Sequence, residues 1–254
     1  QHTFKMTTIE ELIRWRRSHE SLVTRVATTR IPTCHKAGVV FDIHLFNAVG
    51  TKLGLKVEWV PASFDSIIAG VNSSKYDVGV SSFTINTERQ KSVDMISYFN
   101  AGTQWATAAG NPKGIDNNNP CGFNIAVQTA TVQDTDDLPA KLKACGDKPF
   151  KVDRYEKQDE ATAAVAAGKD DAMLADSPVI AYAVQQSDGK LEALGDIYDA
   201  APYGYVVSKK NPDLSAAIVL ALQSLQKDGG YEKALKGWGV EQGAITDFAI
   251  NPVK

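Results

Sequence analysis

Strand and helix patterns alternate along most of this chain in two similar sets, and predict an α/β fold of two lobes, each a mostly parallel sheet flanked by helices. Three observations carry that expectation. Segments of strand and helix period take turns from Ser21 to Ser81, they do so again from Phe123 to Gln186, and a polar, turn-rich stretch, Gly110–Gly122 (GNPKGIDNNNPCG), separates the two sets. At roughly 150 residues per domain, 254 residues correspond to about 1.7 domains.

Thr8–Arg17 (TIEELIRWRR) opens on the capping-box pair Thr8 and Glu11 and carries Ile9, Leu12 and Ile13 on one stripe, so a short helix is expected there. Ser21–Thr28 (SLVTRVAT) alternates apolar and polar residues as a strand does. From Asp42 an amphipathic helix follows, with Ile43, Phe46, Val49 and Leu53 on one stripe and Gly54 as its stop. Leu55–Val60 is the next strand, Phe64–Asn72 the next helix and Tyr76–Ser81 a buried strand. In the second set, Phe123–Gln128, Phe150–Tyr155 and Asp171–Ala175 read as strands, and Asp134–Ala144, Asp159–Ala167 and Ser177–Gln186 as helices. Leu191–Leu194 is a candidate short strand, Tyr203–Val207 is another, and the helices Asp213–Lys227 and Tyr231–Trp238 follow.

Composition removes several function classes. With 43% hydrophobic and 22% charged residues the chain is ordinary for a globular protein, which argues against disorder, collagen and coiled coil. Twenty-seven basic and thirty acidic side chains leave a formal net charge of −3, and the cluster Arg14, Arg16, Arg17 is too short to track a phosphate backbone, so nucleic acid is not an expected partner. No stretch approaches the ~18 uncharged apolar residues of a membrane span. The segment Gln1–Glu11 lacks the apolar core of a signal peptide, which reads as a mature or trimmed chain, and export signals are removed in any case.

Cys34, Cys121 and Cys145 form no Cys-x-x-Cys pair and no zinc spacing, and no metal or cofactor is expected. Cys121 precedes an apolar strand and Cys145 closes a helix, each beside a glycine. Spacing alone leaves a bridge and two free thiols equally open. All four histidines lie in the first 44 residues, and no His-Glu-x-x-His, Gly-x-Ser-x-Gly, Walker or Gly-x-Gly-x-x-Gly pattern is present, so the usual hydrolase and nucleotide machinery is missing. His44 is expected on the exposed side of its helix.

The segment with chemical content is Tyr76–Asp94, YDVGVSSFTINTERQKSVD. A buried strand runs into Ser81, Ser82 and Thr84, then into a turn and a helix start that contains Arg89. Open α/β sheets bind ligands beyond the carboxyl ends of their strands, where these residues fall. Backbone amides, a hydroxyl and a planar guanidinium in one place form a carboxylate receptor, whereas an arginine at a helix start is more commonly just a surface residue.

The run from Gly54 to Gly102, together with NIAVQTATVQDTD, DEATAAVAAGKDDAMLADSPVIAYAV, YGYVVSKKNPDLSAAIVLAL and GGYEKALKGWGV, resembles the extracytoplasmic amino-acid-binding proteins of ABC importers, solute-binding protein family 3. The likeness covers most of residues 40–240, in order and at the family's spacing. It implies a type II periplasmic-binding-protein-like fold that the chain crosses twice, near Trp105–Ala109 and Pro202–Tyr205. Residues 1–107 plus 204–254 would then form lobe 1, and residues 108–203 an inserted lobe 2.

By the same resemblance, Arg89 grips a ligand α-carboxylate, with Ser82 and Thr84 beside it and Thr131 adding a contact from the second lobe. Asp176 receives the α-ammonium and Phe64 packs on the ligand side chain. Each charge of a zwitterion that enters a closed cleft loses hydration worth roughly several kcal/mol unless it meets an opposite partner, and Arg89 and Asp176 would be those partners. For Asp176 alone, a helix N-cap is the plainer role.

The resemblance further implies a Cys121–Cys145 bridge, an extracytoplasmic location (periplasmic, secreted or anchored at the cell surface), a monomer, and delivery of an L-amino acid, polar or acidic, to a permease. The segment TTRIPTCHKAGVVFDIH departs from the family by lacking the aromatic that stacks over the ligand, which leaves Arg30, Ile31 or His35 as candidates for that wall. The competing reading is a cyclohexadienyl or arogenate dehydratase on the same fold. Those enzymes carry a Glu three residues beyond the position matched by Asp176, where this chain has Val179.

Overall fold

The computed structural model describes residues 26–29 and 37–253. The expected helix over Thr8–Arg17, the start of the Ser21–Thr28 strand, Cys34, and the candidate wall residues Arg30, Ile31 and His35 lie outside the described residues. The elements are β1 (Val26–Thr29), α1 (Ala37–Lys52), β2 (Trp59–Ala62), α2 (Phe64–Asn72), β3 (Val78–Thr84), α3 (Thr87–Ser92) and β4 (Val93–Ala108). They continue with β5 (Asn124–Gln128), a π-helical turn (Gln133–Asp137) leading into α4 (Leu138–Ala144), β6 (Lys151–Tyr155), α5 (Gln158–Ala166), β7 (Ala172–Asp176), α6 (Ser177–Gln185), β8 (Leu191–Ser208), α7 (Pro212–Lys227) and α8 (Gly230–Lys236).

Helix α2 has the bounds its apolar spacing predicts, burying Phe64, Ile67, Gly70 and Val71. Helix α1 begins earlier than expected, at Ala37, and its buried side is Phe41, Leu45, Phe46 and Val49, with Ile43 only half-buried. The shift arises because Asp42, polar by type, is turned fully inward. Gly54 follows α1 with φ +65°, a left-handed turn that glycine adopts without steric cost, as its place at the expected stop implies.

One sheet orders the strands β2-β1-β3-β8-β4-β7-β5-β6. Its two ends are parallel, β1 with β2 and β3, and β5 with β6 and β7. Its middle is antiparallel, β8 against β3 and β4, and β4 against β7. The mostly parallel expectation therefore holds for the βαβ units at each end and not for the ladder that joins them. Two strands make that ladder. β4 pairs with β8 from Val93↔Ser208 to Ala108↔Leu191, with register shifts around Ala101, Thr103 and Trp105. The sequence reading had no strand at β4 and two short ones where β8 is continuous. β4 is buried on both faces for most of its length, so the alternation that marks a half-exposed strand is missing.

The apolar side chains form clusters that divide by position. Two are built from residues 41–101 and 203–248, around Phe41, Leu45, Tyr98, Tyr205, Leu222 and Tyr231, and around Phe64, Ile67, Phe83 and Val206. Two others draw on residues 105–191, around Met173 and Ile180, and around Trp105, Ile125 and Leu174. Cys121 and Cys145 are bonded, with Cα atoms 5.4 Å apart, as the resemblance implied. His44 is exposed on α1, as expected, and accepts a 3.1 Å hydrogen bond from the Trp238 indole at Nδ1. No described helix is long and apolar enough to cross a membrane.

Candidate functional site

Strand β3 carries Ser81, Ser82 and Thr84 to its carboxyl end, and the register of β3 on β8 shifts between Gly79 and Phe83. At this irregularity Ser82 takes φ +47°, a conformation unusual for a residue with a Cβ. Asn86 then caps α3, its side-chain oxygen accepting from Arg89 N–H at 2.8 Å, worth ~1 kcal/mol for caps of this kind. The cap fixes the helix start, which aims Arg89 back across the end of the strand.

The Arg89 guanidinium donates from Nη1 to the Thr84 carbonyl at 2.7 Å and from Nη2 to the Ala130 carbonyl at 2.9 Å. It lies 5.6 Å from the Phe64 ring centroid and 5.5 Å from that of Phe83, two rings stacked 4.5 Å apart. A guanidinium has about five N–H donors, so two carbonyls leave three for a ligand, in a planar fork that matches a carboxylate. Ala130, with φ +64°, starts the turn after β5, and its N–H donates to Asp134 at 3.1 Å. Asp134 is ion-paired to Arg154 at 2.7 Å, which anchors this turn to β6. Thr131 donates from its hydroxyl to the Gln128 carbonyl at 2.8 Å. That bond orients Thr131 toward its own turn.

Asp176 is the last residue of β7 and precedes α6, so it holds the N-cap position, yet its side chain makes no cap hydrogen bond. The plainer role is therefore not the one observed. Its Oδ1 accepts from Gln133 Nε2 at 2.8 Å, and the same amide nitrogen lies 2.9 Å from the Thr103 hydroxyl. Tyr203, fully buried on β8, has its hydroxyl within reach of both Asp176 and Ser82, without a hydrogen bond of regular geometry to either.

Arg89 and Asp176 sense each other electrostatically across this space. Burial pushes the Asp176 carboxyl above its ordinary range, while Tyr203, Gln133 and the Arg89 charge pull the other way. Burial likewise lowers Arg89 from the usual arginine value, opposed by Asp176 and Asp136. An incoming ammonium beside Asp176 and a carboxylate beside Arg89 would each relieve a desolvated charge.

Of the expected site residues, Arg89, Thr84 and Phe64 come together at the end of β3, and Ser82 lies beside them with its N–H and hydroxyl both turned to Asp42. Asp176 faces the same group from β7, and Thr131 follows the Ala130 carbonyl that Arg89 holds. Sequence reasoning missed Asp42, Gln133 and Tyr203. For Asp42 a signal existed, a carboxylate within an otherwise apolar helical face. Gln133 and Tyr203 had none, because their importance comes from elements far apart in sequence. Val179 is half-buried and packs against the cluster around Met173 and Ile180. No described His, Cys, Asp and Glu residues group in a way that could hold a metal ion.

Two αβ ends joined by a paired crossing, with a cation and a carboxylate facing each other between them, define a two-lobed solute receptor. The chain belongs to the bacterial extracellular solute-binding proteins, family 3, whose profile matches residues 37–241. It is 37% identical over 213 residues to the arginine-binding protein ArgT of Corynebacterium glutamicum, covering 83% of this chain and 70% of that one. Among solved structures it resembles an ancestral arginine-binding protein bound to arginine, with a TM-score of 0.75, 31% identity, and 84% of this chain and 96% of the other covered. It also resembles an ancestral amino acid-binding protein, AncCDT-1, described as a precursor of cyclohexadienyl dehydratase, with a TM-score of 0.74, 28% identity, and 91% and 98% covered. The fold is the two-lobed, periplasmic-binding-protein-like α/β fold, and the protein is an amino-acid receptor.

Proposed function

We propose that this chain is a non-enzymatic, monomeric receptor that captures L-arginine, or a close basic analogue, between lobe 1 (residues 1–107 plus 204–254) and lobe 2 (residues 108–203). It works outside the cytoplasm and hands the ligand to the permease of an ABC importer. The observation that carries the reading is the convergence of Arg89 and Asp176, from β3–α3 and from β7, on one partly buried space. One supplies a fork for an α-carboxylate and the other a desolvated carboxylate for an α-ammonium. Thr84, Thr131 and Phe64 complete the ligand set, with Ser82, whose N–H and hydroxyl both go to Asp42, shaping the wall beside them. The lobe boundaries are supported by the division of the apolar clusters, which fall on either side of the β4–β8 crossing.

A basic side chain is preferred to the acidic option, because ArgT of Corynebacterium glutamicum and the ancestral protein bound to arginine are both arginine-binding proteins; the polar expectation is kept. The aromatic ring of Phe64 suits a cationic side chain as it suits Arg89. Val179, apolar where a dehydratase needs a proton donor, supports binding without turnover. A thermal-shift screen of the twenty amino acids, followed by calorimetry, tests the reading: ligand binding to the native state raises the transition, and L-arginine gives the largest shift. No shift with any amino acid, or phenylpyruvate formed from prephenate above buffer, overturns it.

A further inference from the structure

Asp42 is a fully buried carboxylate on the side of α1 that otherwise carries Phe41, Leu45, Phe46 and Val49. An apolar residue would fit that packing without the cost of desolvating a charge. Its oxygens accept three hydrogen bonds, from Ser82 N–H at 2.7 Å, from the Ser82 hydroxyl at 2.6 Å and from the Tyr98 hydroxyl at 2.7 Å. Two of the three go to one residue, and that residue holds the left-handed backbone, φ +47°, where β3 slips register against β8. Such a backbone persists in a non-glycine residue only where the surroundings over-determine it. Two residues on, the Thr84 carbonyl receives Arg89 Nη1 at 2.7 Å. The bend at Ser82 thus sets the place of the guanidinium.

We propose that Asp42 is a positioning residue of the ligand site, pinning the Ser82 bend and through it the Ser81–Thr84 segment and the Arg89 fork. The inference rests on the receptor reading for its ligand and on Asp42 geometry for its mechanism. The groups that face Asp42 are Tyr98 on β4, Tyr203 and Tyr205 on β8, and Asp176 at the end of β7. Burial pushes the Asp42 carboxyl up to about 7, the three donors oppose that, and Asp176 adds to it. A proton taken up near neutrality competes with the donors that hold the bend, so ligand affinity falls as pH drops through that range.

The experiment compares the full chain with Asp42→Ala and Asp42→Asn, reading L-arginine affinity by calorimetry and exchange of the Ser82 amide hydrogen by NMR. An asparagine oxygen accepts both Ser82 donors while its NH2 donates to the Tyr98 oxygen, so the bend survives; an alanine offers neither. Asp42→Ala is expected to weaken binding roughly ten- to a hundredfold and to speed Ser82 exchange. Asp42→Asn restores affinity to within about fivefold and removes the Asp42 component of the pH profile. Wild-type affinity in Asp42→Ala, or unchanged Ser82 exchange, overturns the proposal. Where Asp42→Ala shows no cooperative unfolding, an Asp42→Asn pH profile identical to the wild type overturns it. If the wild-type protein binds no amino acid, the receptor reading fails, and Ser82 exchange still decides whether Asp42 holds the bend.

Discussion

Replacing Arg89 with lysine and with alanine separates a shaped receptor from a mere positive charge. The wild-type guanidinium spends one N–H on Thr84 and one on Ala130, and on the proposed reading the remainder of its fork meets the ligand. An ammonium has about three donors from a single point, so a lysine that still served both carbonyls would offer one bond to the ligand instead of two. Hydrogen bonds to charged groups contribute ~1.5–3 kcal/mol each. Arg89→Ala, which removes both bonds and leaves a ligand carboxylate unpaired, is expected to cost ~3–6 kcal/mol, or about a hundred- to ten-thousandfold in Kd. Arg89→Lys, which removes one, should cost about ten- to a hundredfold. Isothermal titration calorimetry with L-arginine measures both, with ligand-free thermal unfolding as a control for the lost carbonyl contacts. If Arg89→Lys binds as the wild type does, or as poorly as Arg89→Ala, the bidentate argument fails.

At Asp176 the folded-state pKa is raised, chiefly by burial, so the ligand-free protein is stabilised at low pH by this group and loses that contribution as pH rises through the raised value. Ligand affinity runs the other way, weakening as pH falls and the carboxylate takes up a proton; Asp176→Asn should weaken binding roughly ten- to a hundredfold at neutral pH and flatten that limb, read by calorimetry across pH. Replacing Cys121 and Cys145 together with alanine opens a loop set by their separation of 24 residues and should cost ~3.5 kcal/mol on chain-entropy grounds, seen as a lower urea midpoint; an unchanged midpoint would show that the bridge adds no stability. A Cβ added at Gly102 meets Ile197 Cγ2 at 2.5 Å and the Tyr198 carbonyl at 2.6 Å, so Gly102→Ala should destabilise by ~1–3 kcal/mol by forcing β4 and β8 apart, with thermal unfolding as the check.

What was legible in the sequence was local. Helix α2 was bounded to the residue because its apolar period, its start at Phe64 and its end at Asn72 are all written within nine residues. Arg89 could be placed because the strand, the small hydroxyl residues and the helix start that aim it are consecutive. The long crossing strands were not legible. β4 is covered on both faces, and the middle of β8, from Gly195 to Ala200, is mostly exposed with polar and apolar residues out of alternation, so neither shows a strand's period throughout. Asp176 was found only through likeness to a family, since its partners Gln133 and Tyr203 come from other elements. Asp42 stands out locally as a carboxylate on an apolar helical face, but its partner, the Ser82 amide, lies 40 residues away and is not written near it.

The place of β8 between β3 and β4 has a consequence for how the protein is made. Residues 78–84 and 93–101 cannot complete their sheet until residues 201–208 reach them, so a chain growing from its N-terminus cannot close its first core until most of it has been synthesised. Pairing at such sequence distance is slow to form, because the intervening loop must be closed before any contact stabilises it. The growing chain thus stays loose while the ribosome works. Closure of the sheet's middle is therefore among the last events in making the protein, and the first core is completed only after residues 201–208 have emerged.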